Sequence, residues 1–141
     1  MAKSGIKIEF KGFDEMIEKI RQAEKDVKPI VNDCMQNAAK IQQKELVQAM
    51  TEADIDSGLI ERMPPARVEW EGERCKAFVG YPVPTYDPNN LDDAFKVIFH
   101  NYGTPKYKGK HFIATAKKAA APQIRKETKK ALKQIIKEIE K

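Results

Sequence analysis

The chain has 141 residues, of which 41% are hydrophobic and 33% charged, with 26 Lys and Arg against 21 Asp and Glu. This length predicts one domain, residues 1–141, whose core needs neither disulfides nor metal. The net charge of +5 leaves open a nucleic-acid partner, an acidic protein partner or simple solubility. Apolar residues recur with clear periods, which excludes a disordered chain.

The cysteines and the N-terminal residues predict the cellular compartment of the protein. Cys34 and Cys75 lie far apart in apolar patterns and are expected to be buried, reduced thiols. Their spacing excludes a disulfide framework and a CxxC zinc site. No signal peptide is recognisable, and no apolar run approaches the roughly 20 residues that span a bilayer. We expect a reducing cytoplasm and no membrane partner.

The first third of the chain predicts a strand and two helices. Residues 6–11 alternate between apolar and charged side chains, the pattern of a half-buried strand. From Phe13 the apolar residues recur with a helical period. This first helix is expected to end before Pro29, because proline costs about 3 kcal/mol inside a helix but little at the first position of a new one. A second helix is expected from Ile30 to about Ala53. Its Ala38-Ala39 pair lets another element approach closely.

The middle of the chain predicts a hairpin between less regular segments. Residues 54–65 carry helix and strand breakers and are expected to be irregular. Residues 67–71 and 74–79 alternate on either side of Gly72, which predicts a β-hairpin. Residues 81–93 contain three prolines and are expected to form a long surface loop. Residues 95–102 are rich in β-branched and aromatic side chains and are predicted to form a third long strand.

The C-terminal part predicts a long amphipathic helix that starts between Ala114 and Pro122. Its apolar arc contains Ile124, Leu132, Ile135, Ile136 and Ile139, with Ala120 and Ala131 beside them. Together the elements predict an α+β fold. We expect a small, mainly antiparallel sheet of about four strands, packed by N-terminal helical segments and this long helix.

Four cations follow at four-residue steps on this helix: Arg125, Lys129, Lys133 and Lys137. Each step turns about 40° around the axis, so the row drifts and forms no narrow stripe. A charge run is usually a solvated face, but an acidic neighbouring subunit or DNA phosphates would also fit. No aromatic residue interleaves with the cations, so the stacking device of single-strand binders is missing. These four are the candidate subunit-interface or DNA-facing residues.

The sequence contains no catalytic constellation. His100, expected on a strand surface, and His111, expected in a loop, have no Cys, Asp or Glu at metal-ligand spacing. The acidic pairs Asp54-x-Asp56 and Asp92-Asp93 are expected to serve turns and caps. Neither a P-loop nor a GxGxxG or GxSxG motif occurs. We expect a non-enzymatic protein without cofactor, metal or small-molecule substrate.

Several short islands occur in a fixed order. They are Ile6-Lys7-Ile8-Glu9-Phe10-Lys11-Gly12-Phe13-Asp14-Glu15-Met16, Ala38-Ala39-Lys40-Ile41, Asp56-Ser57-Gly58-Leu59, the hairpin, Tyr102-Gly103-Thr104 and Phe112-Ile113-x-x-Ala116. As a set they resemble the small tail-completion or head–tail joining proteins of long-tailed, lambdoid-type bacteriophages and prophages, which are minor tail components. The resemblance covers nearly the whole chain.

The chain departs from that family's pattern in places. His100-Asn101-Tyr102 stand where an acidic residue usually precedes Gly-Thr, and His111 stands where proline usually precedes Phe. Glu52-Ala53-Asp54 stand where the family often has a proline. Pro122 lies in a helix that the family runs through without interruption. These differences concern the geometry of loops.

The resemblance implies a structural role in the virion. It implies a ring of identical subunits between head connector and tail tube, with neighbouring head-connector or tail proteins as further partners. The protein would be in the host cytoplasm during assembly and in the virion neck or tail afterwards. Ring contacts run head to tail and close by rotation. Residues 81–93, residues 104–111 and the basic helix are the candidate contact segments.

Two electrostatic hypotheses accompany this reading. In the first, acidic residues of the N-terminal helices meet the basic C-terminal helix of the next subunit. In the second, which is the alternative function, the chain is a basic nucleic-acid-binding module that places its C-terminal helix on phosphates. A phosphate binder loses affinity steeply as salt rises, which separates the two hypotheses.

Overall fold

The computed structural model describes residues 5–9, 27–72, 74–82 and 93–140. In chain order the elements are β1 (Gly5–Glu9), α1 (Lys28–Glu52), α2 (Ser57–Glu61), β2 (Arg67–Glu71), β3 (Arg74–Gly80), α3 (Asp93–Tyr102), β4 (Gly103–Thr104), β5 (Tyr107–Lys108) and α4 (Phe112–Glu140). The predicted α+β fold class is confirmed. The helix predicted from Phe13 and most of the loop predicted over 81–93 lie outside the described residues.

The main sheet is antiparallel, with β3 between β1 and β2. The predicted hairpin is confirmed, since Trp70 pairs with Cys75 and Val68 with Ala77 across it. Alternation along β3 buries one side chain in two, because successive residues point to opposite faces. The helix-facing side chains of the sheet are Ile6, Ile8, Val68, Trp70, Cys75, Ala77 and Val79.

Helix α1 lies between the sheet and α4, and it is buried on two faces. It begins as predicted, with Pro29 in its first turn, where the missing N–H costs nothing. One face packs into the core beneath the sheet through Val31, Met35, Ala39, Leu46 and Met50. Two polar side chains of the helix bind the β2 region: Asn32 Oδ1 accepts from Trp70 Nε1 at 3.2 Å, and Gln43 Oε1 accepts from the Ala66 amide at 2.9 Å.

The other face of α1 meets α4 along a seam of small side chains. Ala38 is fully buried, as are Ala116 and Ala120 on α4, so the two backbones approach closely as the Ala38-Ala39 pair predicted. Gln42 reaches across and donates to the Ala116 carbonyl at 3.1 Å, and Cys34 Sγ lies 3.6 Å from the Glu127 carbonyl oxygen. The residue numbers rise on one helix as they fall on the other, so the pair is antiparallel.

Residues 95–102 form a helix, and the prediction of a third long strand was wrong. Ala94, Val97 and Asn101 are buried at helical spacing, which α3 satisfies and a strand does not. Asp93 in the first turn favours the positive end of the helix dipole. Gly103 then ends the helix with a φ of 86°, a conformation that glycine adopts freely. His100 therefore lies on a helix and not on a strand.

Residues 54–65 are also more ordered than predicted, because they contain α2. Asp56 caps it, its Oδ1 accepting from the Gly58 amide at 2.9 Å, so the predicted cap role is confirmed. Asp54 takes a φ of 58° in the turn after α1, as short acidic residues do more readily than others. The sequence predicts no helix at residues 57–61, because Ser57 and Gly58 usually form turns. Both residues are nevertheless acceptable in the first turn of a helix.

Helix α4 begins at Phe112, ahead of the predicted start, and continues through Pro122. Pro122 is exposed, on the side of the helix away from α1. Its ring replaces the N–H that would bind the Lys118 carbonyl, and Lys118 is itself exposed, so water can solvate that oxygen. The tertiary contacts with α1 therefore carry the helix across a residue that would end an isolated one.

We predict that Pro122→Ala stabilises the protein by about 2 kcal/mol, since it restores one backbone hydrogen bond and relieves the ring clash. Urea unfolding followed by circular dichroism measures the change. Gln123→Ala, at the neighbouring exposed position, should stay within about 0.5 kcal/mol. Destabilisation by Pro122→Ala would show instead that the packing of α4 on α1 depends on a bend at this residue.

Candidate assembly surface

The corner between α3 and α4 is a small, tightly closed hairpin. Strands β4 and β5 pair through Gly103 with Lys108 and Thr104 with Tyr107. The last four carbonyls of α3 have no partner within their own helix. The returning chain supplies a donor to two of them: the Lys110 amide donates to His100 O at 2.9 Å and the His111 amide to Asn101 O at 3.0 Å. The two helices are therefore joined by backbone contacts.

Two glycines allow this closure. A Cβ on Gly103 would lie 2.6 Å from both the Gly109 nitrogen and the Tyr107 oxygen, and a Cβ on Gly109 would lie 2.6 Å from the Asn101 oxygen. All three contacted atoms belong to the backbone, which cannot move aside as a flexible side chain can. The island Tyr102-Gly103-Thr104 thus marks a backbone-to-backbone contact.

Asn101 is the residue that joins the hairpin to α4. It is 3% exposed, and its Oδ1 accepts from the Ile113 amide at 3.0 Å. That amide belongs to the first turn of α4, which leaves donors unsatisfied. His111, directly before the helix, has a φ of 49° and its side chain is exposed, so the cap comes from Asn101 across the hairpin. An amide oxygen here supplies the same acceptor that a carboxylate would.

The tip of the hairpin is polar, basic and exposed. Thr104 Oγ1 accepts from the Lys106 amide at 3.3 Å across the turn at Pro105. Lys106 and Lys108 point into solvent, whereas Lys110 donates to the Ala53 carbonyl and ties the hairpin to the end of α1. The hairpin therefore projects from a base that is fixed at both sides.

An aromatic stripe lies on the outer face of α3. It consists of Phe95, Phe99 and Tyr102, which follow at the i, i+4 and i+7 positions of one helix face. The rings of Phe95 and Phe99 are 5.9 Å apart between centroids. Phe99 is 38% exposed and Tyr102 49%, so two large aromatic side chains face solvent together beside the basic tip. Sites of this kind commonly serve protein–protein contact.

Both ends of α3 are anchored, so the aromatic stripe is held rigidly. At its start Arg62, directly after α2, donates to both Asp93 carboxylate oxygens, at 2.8 and 3.1 Å. These hydrogen bonds hold the pKa of the Asp93 carboxyl below its ordinary value. At its end, Asn101 and the hairpin bind α4. The stripe is therefore presented by a helix with no free terminus.

An apolar cavity of about 300 Å³ lies at one end of the sheet. Its walls include Pro64, Pro65, Phe78 and Val79, and Tyr81 contributes its ring. The Tyr81 hydroxyl donates to the Leu59 carbonyl. The lining is mainly apolar but also includes Lys7 and Arg67, and the Arg67 guanidinium lies 4.8 Å from the centre of the Phe78 ring. Its lining suits the reception of an apolar side chain better than catalysis.

The four basic residues selected from the sequence all lie exposed on α4: Arg125, Lys129, Lys133 and Lys137. They belong to the face away from α1, and the fold brings them close to neither histidine. His100 instead contacts Tyr107, ring centroid to ring centroid at 5.8 Å. His111 is an exposed loop residue, as predicted.

The cysteines are buried and free, as predicted. Burial raises the pKa of both thiols to about 11, helped at Cys34 by the charge of Glu127, so neither is a ready nucleophile. Within the described ranges no cluster of three or more His, Cys, Asp or Glu is placed to hold a metal ion. No helix among the described residues has the length and apolar character to cross a membrane.

Comparison with protein-family models, with curated proteins and with solved structures finds no match to this chain. The resemblance to phage head–tail proteins therefore depends on the sequence islands, and the site must be interpreted from its own geometry.

Sequence reasoning missed Asn101 and the aromatic stripe for one reason. Both follow from the helical conformation of residues 93–102, whereas composition predicts a strand over residues 95–102. The helical signals were present, since Asp93 begins the segment, Gly103 ends it, and Ala94, Val97 and Asn101 lie at helical spacing. The high β-propensity of Val97, Ile98 and the two phenylalanines favoured a strand over these helical signals.

We predict that Gly103→Ala destabilises the protein by at least about 3 kcal/mol, because it combines positive φ with backbone overlap. Gly72→Ala is the matched control: Gly72 has a φ of 62°, but a Cβ there meets nothing within 4 Å. That variant should lose only about 1 kcal/mol. Equal losses in chemical denaturation would mean that the Gly103–Gly109 contact is unimportant.

We predict that Asn101→Ala costs about 1–2 kcal/mol, since it removes the acceptor for the first turn of α4 and leaves a buried donor unpaired. Asn101→Asp keeps an acceptor and should recover much of this loss. Unfolding measures the energies, and hydrogen exchange at the Ile113 amide reports the contact itself. Unchanged exchange at Ile113 in Asn101→Ala would refute the capping role.

Proposed function

We propose that this chain is a non-enzymatic structural subunit of a phage or prophage particle. It joins or completes the head–tail junction as a ring of copies of itself and contacts the neighbouring head-connector or tail proteins. The observation that carries the proposal is the aromatic stripe of α3, which is exposed although the helix beneath it is anchored at both ends.

The sequence islands that resemble the head–tail family support this proposal. Asp56-Ser57-Gly58-Leu59 forms the cap and first turns of α2, and Tyr102-Gly103-Thr104 forms the closed corner beside the stripe. Phe112, which opens the last helix, is among the largest fully buried side chains. These three islands therefore occupy positions that set the fold, as expected of a shared architecture.

A second copy of the chain is the occupant that best fits the stripe. A ring needs two different patches on each subunit, one that projects and one that receives. Phe99 and Tyr102 project from α3, and the cavity beside Pro65 and Phe78 is mainly apolar and large enough to receive a ring, which would also meet the Arg67 guanidinium over Phe78. In this arrangement each subunit inserts its stripe into the cavity of the next.

The role in the particle is tested by deleting the gene from the genome that carries it. We expect DNA-filled heads and separate tails in electron micrographs, and recovery of joined particles when the gene is supplied in trans. Joined, infectious particles without the gene would overturn the proposal, as would a genomic location without portal, capsid and major tail protein genes nearby.

We predict that the double variant Phe99→Ser/Tyr102→Ser remains folded but does not self-assemble, because the projecting apolar area is gone. Light scattering across protein concentration measures the mass. Ile136→Ser is the matched control: Ile136 is 45% exposed on α4, outside the stripe, and its loss should leave assembly unchanged. The double variant should also fail to restore particle joining in the deletion strain.

A mixing experiment tests the head-to-tail geometry. Pro65→Asp places a charge at the mouth of the cavity and should also give monomers. Mixed with Phe99→Ser/Tyr102→Ser, it leaves one intact projecting patch and one intact receiving patch per pair, so heterodimers and nothing larger are expected. Monomers in the mixture would show that the stripe and the cavity are not partners.

A further inference from the structure

The whole net charge of the chain resides in one helix. Helix α4 carries eight Lys and Arg against three Asp and Glu, a net of +5, which equals the net charge of all 141 residues. The remainder balances at 18 of each sign. The segment from Ala94 to Lys126 has eight basic residues and no acidic one. This uninterrupted basic segment comprises Lys96 of α3, the hairpin and the first half of α4.

The structure places most of these cations on one side of α4. At 100° per residue, six of them fall within an arc of about 120° opposite the buried alanines, over a length of about 28 Å. We call this set the basic face; it consists of Lys118, Arg125, Lys126, Lys129, Lys133 and Lys137. All six are exposed, and every acidic residue of α4 with a described side chain is only half-exposed.

None of the six cations has an ion pair or hydrogen bond with another residue in the described part of the chain. Like charges at i, i+4 spacing, such as Lys129 and Lys133, repel and weaken the helix. Helix α1 differs in net charge, because its three lysines, Lys28, Lys40 and Lys44, are balanced by Asp33, Glu45 and Glu52. Among the described helices, a large net positive charge is thus particular to α4.

We propose that the basic face binds the phosphate backbone of duplex nucleic acid without reading its sequence. Duplex DNA presents one charge per roughly 1.7 Å of its axis, so a rigid 28 Å row of cations can meet phosphates along most of a helical turn. Five of the six cations are lysines, which act as flexible point charges and give no fixed geometry for base recognition. Binding of this kind depends on charge density alone.

An acidic protein surface fits the basic face less well. Stable protein contacts need buried apolar or aromatic anchors, and lysine is depleted at their centres. Among the described side chains of α4, only Ile136 is a large apolar residue that is exposed. Single-stranded nucleic acid fits less well too, because the basic face has no aromatic side chain on which a base could stack. Binding to the phosphates of a duplex requires neither an apolar anchor nor a stacking aromatic side chain.

The experiment is fluorescence anisotropy of a labelled 30-base-pair duplex titrated with the protein between 50 and 200 mM salt. Six phosphate contacts give a slope of about −5 for log K against log salt. Lys129→Gln/Lys133→Gln should reduce the slope by about 2 and weaken binding at 50 mM salt on the order of 100-fold. Lys129→Arg/Lys133→Arg retains the charges and should bind like the wild type.

Lys40→Gln/Lys44→Gln is the matched control, with the same spacing and the same change in net charge on the exposed face of α1. It should leave the slope nearly unchanged. Absence of binding at 50 mM salt, or equal losses in the two Gln pairs, overturns the proposal. So does a Lys129→Gln/Lys133→Gln variant that binds DNA normally but no longer assembles, because α4 then meets a protein.

This inference is independent of the ring. The assembly-defective variant Phe99→Ser/Tyr102→Ser retains the basic face and should still bind the duplex, with a lower apparent affinity if several subunits share one DNA. Complete loss of binding in that variant contradicts a site within one α4. Loss of DNA binding in the lysine variant with normal rings supports the basic face and leaves the proposed assembly untouched.

Discussion

Helix α1 is buried on two faces, and that constraint organises the rest of the molecule. Its sheet-facing side packs beneath β1, β2 and β3, where Cys75, Ala77 and Val79 leave room for the helix. Its other side is narrow, since Ala38 lies in the seam against the alanines of α4. The hydrogen bond from Gln42 to a backbone carbonyl fixes the register of the two helices, because a buried amide without that acceptor would carry a desolvation penalty. The sheet and α4 are therefore positioned through α1, and the surfaces of α4 inherit that rigidity.

At the corner between α3 and α4, a few buried hydrogen bonds hold the backbone while the outer side of α3 stays exposed. Asn101 uses both of its oxygens, the carbonyl for His111 and Oδ1 for Ile113, so one buried residue satisfies the end of one helix and the start of the next. Because the corner is closed by backbone, the outer side of α3 does not need to pack inward. Aromatic side chains remain outside there, and a basic helix leaves immediately afterwards. The fold thus carries an exposed aromatic surface on α3 and a cationic surface on α4, two helices that the hairpin connects.

Much of the fold was predictable because local pattern and tertiary environment agree. The hairpin at Gly72 and the helix that starts at Pro29 have strong local signals, and the conformation that each signal favours also packs its apolar side chains into the core. Prediction failed where the two disagree. Residues 95–102 have strand-forming composition, yet they lie in a helix, Asp93–Tyr102, whose buried residues are Ala94, Val97 and Asn101. Pro122 is a helix breaker, yet α4 continues through it because α1 supports the turns on either side. The candidate cations of α4 were visible in the sequence, whereas the aromatic stripe was hidden by the wrong secondary structure.

The sequence by itself determined three features: the basic surplus of the last helix, the alternation of the hairpin and the helix-forming pattern around Ala38-Ala39. These are properties of residue type and spacing, which neighbours in space cannot change. Only the tertiary structure decided which side of each element is covered. The packing of the α4 alanines against α1 turns the cations of α4 outward. The contacts of Arg62 and Asn101 hold α3 so that Phe99 and Tyr102 stay exposed. The close approach to Gly109 is what requires a glycine at position 103. Exposure is a relation between distant residues, and for that reason it cannot be read from the local pattern of one segment.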